Sequence, residues 1–260
     1  MNKKIMIIFT MIFSIGIYYM ASSVGAKDNS LENKKIGWGI KRVENHEQPD
    51  LGSENKSLID KYNGIAMGNS ESNKVYLTFD LGYEAGYTEK ILDVLKENDV
   101  KATFFITAHY LNTAPDLVKR MIEEGHIVGN HTVNHKSLPD LSDDEIKNEI
   151  MNLHTAIYEK FGYEMVYIRP PKGEYSERVL KLCSDLKYKT VMWSFAYDDW
   201  DENNQVREEY GKKKVLDNIH NGAVILLHGT SKDNMNILDY CIKEIKKMGY
   251  VFESIDDFEK

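Results

Sequence analysis

The sequence predicts an α/β fold, a (β/α) barrel of about seven strands, and three observations carry that expectation. Strand-like and helix-like segments alternate over roughly 180 residues from Ser72 onward, the pattern of a parallel sheet. The first strand-like segment, residues 75–79, is rich in β-branched and aromatic residues, as strands are. Residues able to do chemistry follow predicted strands directly or within a few positions: Asp80, His131, Arg169, Asp199 and His228. In a (β/α) barrel the carboxyl ends of the strands form the reactive face.

The elements follow in order. After the strand at 75–79, residues 88–97 form an amphipathic helix with Ile91, Leu92, Val94 and Leu95 as its apolar set. A strand at 102–107 precedes a helix at 115–124, which Gly125 stops. A short strand at 127–129 leads to His131. Ser142 starts a long helix to about Phe161, with Ser-Asp-Asp-Glu as a capping box. Strands are expected at 167–168, 190–195, 223–227 and 250–253, and helices at 176–186, 212–219 and 236–248.

Residues 1–26 read as a secretion leader, with basic Lys3 and Lys4, an apolar run over 5–20, and Val24-Gly25-Ala26 as a small-residue cleavage site. The protein is therefore expected outside the cytoplasmic membrane; an uncleaved leader would tether it there through residues 5–20. Residues 27–72 are polar and too poor in apolar side chains for a core of their own. They are expected to form an extended arm, with one short helix near 58–62, packed on a domain spanning 73–260. The net charge of −8 argues against nucleic acid as the main partner, which needs clustered Lys and Arg. The run Lys212–Lys214 is short enough to be a solvated helix face. Cys183 and Cys241 sit on apolar helix faces, are expected to be buried free thiols, and have no metal-binding spacing.

His131 and His135 carry the sharpest chemical signal. Four residues apart, they would share one face of a helical turn and could hold one divalent metal. Asp80, at the end of a buried strand, could serve that metal or act as a general base, and together these suggest metal-assisted attack of water. Leu81 offers no donor where a third ligand would be convenient. His46, His109, His126, His154 and His220 lack such partners and read as structural or exposed.

The segments TFDLG, HTVNH, RPPKG, DDW and LLH, in this order and spacing, resemble the NodB-type polysaccharide deacetylases, carbohydrate esterase family 4, over about residues 73–256. GWGIK, GYEAGYTEKILDVLK, WSFAYDDW and HGTSKDN further resemble the sporulation subgroup that de-N-acetylates muramic acid on the way to muramic δ-lactam. The resemblance implies a distorted (β/α)7-type barrel, with His131 and His135 as ligands of a divalent metal, Zn2+ by preference. It implies Asp80 as general base, Arg169 as its ion-pair partner, His228 as general acid and Asp199 as the partner of His228. A backbone N–H of the RPPKG turn would hold the oxyanion. Trp200 and Leu226 would shape a pocket for the acetyl methyl, while Lys172, replacing a common aromatic residue, and Gly173 would face the glycan. Two positions depart from the family: Leu81 and Ala196 stand where aspartates are common. The implied activity is removal of acetyl from N-acetylmuramic acid in the glycan strands of peptidoglycan, in spore cortex, by a monomer in the cell envelope. The alternatives are an N-acetylglucosamine deacetylase and a glycan-binding pseudoenzyme, the latter motivated by Leu81. A two-carboxylate glycosidase ranks last, since it needs no histidine pair.

Overall fold

β2 (Lys74–Leu81) organises the sheet: its eight residues are almost all buried, as expected of a strand covered on both faces. The computed structural model describes residues 32–201 and 203–260, so the expected leader lies outside the described residues. Ahead of β2 come β1 (Ile36–Gly37) and α1 (Ser53–Lys61). After it follow α2 (Thr88–Glu97), β3 (Thr103–Ile106), α3 (Ala108–Thr113), α4 (Pro115–Glu123), β4 (Ile127–Asn130) and α5 (Asp143–Phe161). The chain continues through β5 (Tyr167–Ile168), β6 (Glu174–Tyr175), α6 (Glu177–Asp185), β7 (Lys189–Thr190) and α7 (Glu208–Asp217). It ends with β8 (Val224–His228), α8 (Lys232–Lys247) and β9 (Val251–Phe252).

The main sheet runs β7-β5-β4-β3-β2-β8, with β9 beside the start of β2, and its strands pair in parallel. It curls into the expected distorted barrel. The two ends of the strand order meet through a single parallel bridge, Phe195 with Ile225. The expected strand at 190–195 is therefore a strand for only its first residue. Beyond it, the Val191 and Met192 carbonyls accept from the Arg169 guanidinium instead of completing a ladder.

Local chemistry explains the helix boundaries. α5 carries the expected capping box, Ser142 with Glu145, and ends on Gly162 in the left-handed region (φ 65°). α7 begins four residues earlier than expected because the Asp233 carboxylate accepts the N–H groups of Val206 and Arg207 (2.9 and 2.8 Å). α8 begins at Lys232 because Ser231 caps it. The short α3, unforeseen in the sequence, is capped by Thr107.

Residues 32–72 are built into the structure. β1 pairs antiparallel with β6, and Ile36, Trp38 and Ile40 pack with Tyr175 and Met192. α1 is nine residues long and starts earlier than the expected turn of helix. Cys183 and Cys241 are buried and free, and burial pushes both thiols up to about 12. Among the described residues, no helix is long and apolar enough to cross a membrane.

Candidate active site

Strand register puts the first two site residues side by side. Asp80 ends the inward-facing series of β2 and is in register with His228 of the parallel neighbour β8. Arg169, directly after β5, is fully buried and donates from Nη1 to Asp80 Oδ1 (2.7 Å) and from Nη2 to Thr78 Oγ1 (2.9 Å). Its guanidinium carbon also lies 4.3 Å from the centre of the Phe105 ring. Burial alone would raise the Asp80 pKa. The charge of Arg169, aided by His131 and His228, outweighs burial and holds the carboxyl below its usual range, so Asp80 is ionised.

His131 and His135 come together, but not on a helix. Thr132 (φ 69°) and His135 (φ 54°) adopt left-handed backbone, and this kinked loop brings the two Nε2 atoms to 3.1 Å. The expected helical turn is thus replaced by a loop. Its clamp is Glu149 on α5, whose carboxylate accepts Asn134 N–H (2.7 Å) and Asn134 Nδ2 (2.6 Å). Sequence reasoning missed Glu149. Its signal was an acid in the inward stripe with Ile146, Ile150 and Leu153. His131 Nδ1 lies 2.8 Å from the Arg169 carbonyl, which requires the proton on Nδ1 and leaves Nε2 its lone pair. Burial lowers the pKa of both imidazoles, that of His135 to about 4, so both are neutral near pH 7.

On the far wall, His228 Nδ1 lies 2.7 Å from Asp199 Oδ1, and the His228 N–H donates to Asp199 Oδ2 (2.8 Å). Burial pulls the His228 pKa down, but the Asp199 charge and hydrogen bond prevail and raise it. Asn234, a buried residue the sequence reading did not single out, donates to Asp199 Oδ2 (2.6 Å) and accepts from Tyr197. Gln205 adds a bond to the Asp199 carbonyl (3.2 Å).

Asp80, His131, His135 and His228 line one cavity of about 1000 Å³, together with Lys172, Gly173, Leu226 and Trp200, while Arg169 and Asp199 stand behind its wall. Leu226 is buried in the cavity wall, whereas Trp200 is 62% exposed at the rim and so forms a platform more than a closed methyl pocket. His109, read from sequence as structural or exposed, also lines the cavity. His126, His154 and His220 lie away from it. His154 and His220 bond to Tyr188 and Ser194. Ala196 lies on the cavity wall without any donor side chain.

Leu81 has a different meaning from the one its neighbours suggest. Successive strand residues face opposite ways, so with Asp80 turned to the cavity, Leu81 is turned to the helices. It is 0% exposed in the main core and packs towards Ile91 and Gly229.

Among the described residues, no group of three or more His, Cys, Asp or Glu is arranged to hold a metal. The donor set of His131 and His135 nevertheless fits a divalent ion of borderline softness. Two neutral imidazoles face each other through Nε2, one has its tautomer fixed by a backbone carbonyl, and Asp80 Oδ2 lies 3.5 Å from His131 Nε2.

Comparison with known proteins places the chain in a family. The polysaccharide deacetylase family profile matches residues 67–191. The Bacillus subtilis peptidoglycan-N-acetylmuramic acid deacetylase PdaA is 45% identical over 238 residues, 90% of each chain. The solved structure of PdaA, a family 4 carbohydrate esterase, superposes with a TM-score of 0.85 at 45% identity, covering 88% of this chain and 98% of that one. A Bacillus cereus peptidoglycan-N-acetylglucosamine deacetylase is 36% identical over 76% of this chain and 73% of its own. A family 4 pseudoenzyme from Bacillus anthracis matches with a TM-score of 0.70 at 28% identity, over 75% of this chain and 68% of that one. Members of this family are typically metal-dependent hydrolases. With likeness of this extent in both sequence and fold, the chain belongs to the polysaccharide deacetylases, the family 4 carbohydrate esterases.

Proposed function

We propose that the protein hydrolyses the acetamide of N-acetylmuramic acid in peptidoglycan, releasing acetate and leaving a free amine on the route to muramic δ-lactam in spore cortex. One observation carries the reaction type. An ionised, Arg169-bound Asp80 and an Asp199-bound His228 stand in register across β2 and β8, in one cavity with the His131–His135 pair. Muramic acid as the sugar is supported by the likeness to PdaA along nine-tenths of both chains.

Asp80 accepts a proton from the attacking water. Arg169 holds Oδ1 and keeps the carboxylate ionised, which leaves Oδ2 turned to the cavity. A divalent cation on His131 and His135, Zn2+ in this reading, would supply Lewis acidity to the carbonyl and the water. The Gly173 N–H is spent on the Pro170 carbonyl (3.2 Å), so the turn's donor to the developing oxyanion is the N–H of Lys172. His228, protonated further up the pH scale than an ordinary imidazole, gives its proton to nitrogen as the C–N bond breaks, and Asp199 aims it. Peptidoglycan lies outside the cytoplasmic membrane, which agrees with the leader-like residues 1–26; in this reading the enzyme works there as a monomer.

The test is acetate release from peptidoglycan with and without stem peptides, with and without added Zn2+, beside an N-acetylglucosamine oligomer. Release from muramic residues is expected; release from the glucosamine oligomer alone would reassign the substrate. A second reading, a glycan-binding pseudoenzyme, is favoured by the two-nitrogen donor set. It requires that no metal elicit acetate.

A further inference from the structure

We propose that Lys172 is a specificity-determining residue, whose ammonium pairs with the free carboxylate of the muramic lactyl group. The proposal rests on the deacetylase reading above and deepens it. The carboxylate is what distinguishes a peptide-free N-acetylmuramic acid residue from N-acetylglucosamine: the two share the acetamide at C2, and only the former carries an anionic lactyl ether on the adjacent C3. A site that tells them apart needs a cation beside the amide-binding centre, and the chain places one there.

Among the described residues lining the cavity, Lys172 is the one lysine or arginine. Arg169 lies behind the wall with its guanidinium committed to Asp80. Lys172 is exposed at the rim, and no carboxylate forms an ion pair with it among the described residues. It lines the same cavity as His135 and His131 on the metal-binding wall. The ammonium is therefore near the reacting centre while remaining available to an incoming anion.

Its placement is built, not incidental. Lys172 adopts left-handed backbone (φ 61°), which is strained for a non-glycine residue and persists only where surroundings impose it. Those surroundings are the arm. The Trp38 N–H donates to the Gly173 carbonyl (2.8 Å), and Trp38 Nε1 donates to the Trp193 carbonyl (2.9 Å). Gly173 (φ 65°) is wedged so closely that an added Cβ would lie 2.7 Å from the Trp193 ring and 3.1 Å from Trp38. β1 and β6 pair just beyond the turn. The arm thus clamps the turn that aims Lys172 over the cavity rim.

An exposed ammonium pairing with a carboxylate gains little, but a charge-assisted bond partly screened by bound sugar is worth roughly a tenfold preference or more. The experiment compares glycan strands whose lactyl carboxylates are free with the same strands after methyl esterification. Acetate release and equilibrium binding are both measured, for the wild-type chain and for Lys172→Met and Lys172→Arg. The expected result is a preference of the wild type for the free acid of roughly tenfold, expressed in KM and in binding and weakened by salt. That preference should collapse towards one in Lys172→Met and be retained in Lys172→Arg. A preference unchanged in Lys172→Met, or no preference in the wild type by either measure, overturns the proposal. Absence of acetate from every muramic substrate is a different outcome, which sinks the deacetylase reading; the binding comparison still decides the role of Lys172.

Discussion

Asp80 and Arg169 form a buried pair, so changing either has two consequences that must be separated. Asp80→Asn removes the proton acceptor and should cut acetate release by about 10²–10⁴-fold. It also leaves a buried guanidinium uncompensated, which costs about 3–5 kcal/mol in stability. Thermal unfolding and kcat measured well below the melting temperature resolve the two; retained kcat would remove Asp80 from the role of base. His228 makes a pH prediction. Its folded pKa is raised, so its stabilising pair with Asp199 is fully present below the unfolded pKa and is lost as pH rises through the folded pKa. Activity that needs protonated His228 must fall over the same alkaline range. Asp199→Asn removes the raising charge, so the alkaline limb of kcat/KM should move to lower pH; an unmoved limb assigns it to another group. Leu81 shows what the residue scale can hide. Next to Asp80 in sequence it looks like a lost ligand, yet the two-residue period of a strand already turns it to the opposite face. Leu81→Asp should therefore place a carboxylate in the buried core and lower the melting temperature.

At the scale of elements, the histidine spacing was legible but its geometry was not. Four residues can unite two imidazoles on a helix, or in a loop with left-handed kinks, and the choice was made by Glu149, a residue on another element. Sequence periodicity marks α5 as a helix with one apolar face; it does not say that an acid in that face will hold a loop. Glu149→Ala should free the Asn134 backbone N–H and loosen the pair, lowering metal affinity by roughly 10–100-fold, as loss of supporting hydrogen bonds around ligands commonly does. Competition against a chromogenic chelator measures this directly, and an unchanged affinity would show that the loop holds itself. The same logic explains α7 and α8, whose starts depend on Asp233 and Ser231 rather than on apolar periodicity.

For the whole molecule, the strand–helix alternation made the parallel sheet and its reactive end legible, because both follow from local patterns repeated along the chain. Barrel closure was not, since it rests on one bridge between Phe195 and Ile225 and on carbonyls drawn to Arg169. The packed whole also sets a response to acid that no segment has alone. His126 is buried beside Phe104 of β3 and accepts the Ala102 N–H on Nδ1, and among the described residues nothing pairs with its Nε2. Burial lowers its pKa to about 4. A depressed imidazole pKa means that below the unfolded value the unfolded chain takes up a proton that the native state refuses. Stability is therefore lost as pH falls from about 6.5 towards 4, by about 3 kcal/mol from this residue. His131, His135 and His220 are depressed in the same direction, so the native state should be distinctly acid-sensitive. Urea unfolding at pH 7 and pH 4.5 in the presence of a chelator isolates the effect of His126. His126→Leu should lose clearly less stability between the two pH values than the wild type. Equal losses would mean that His126 takes up its proton without unfolding the chain.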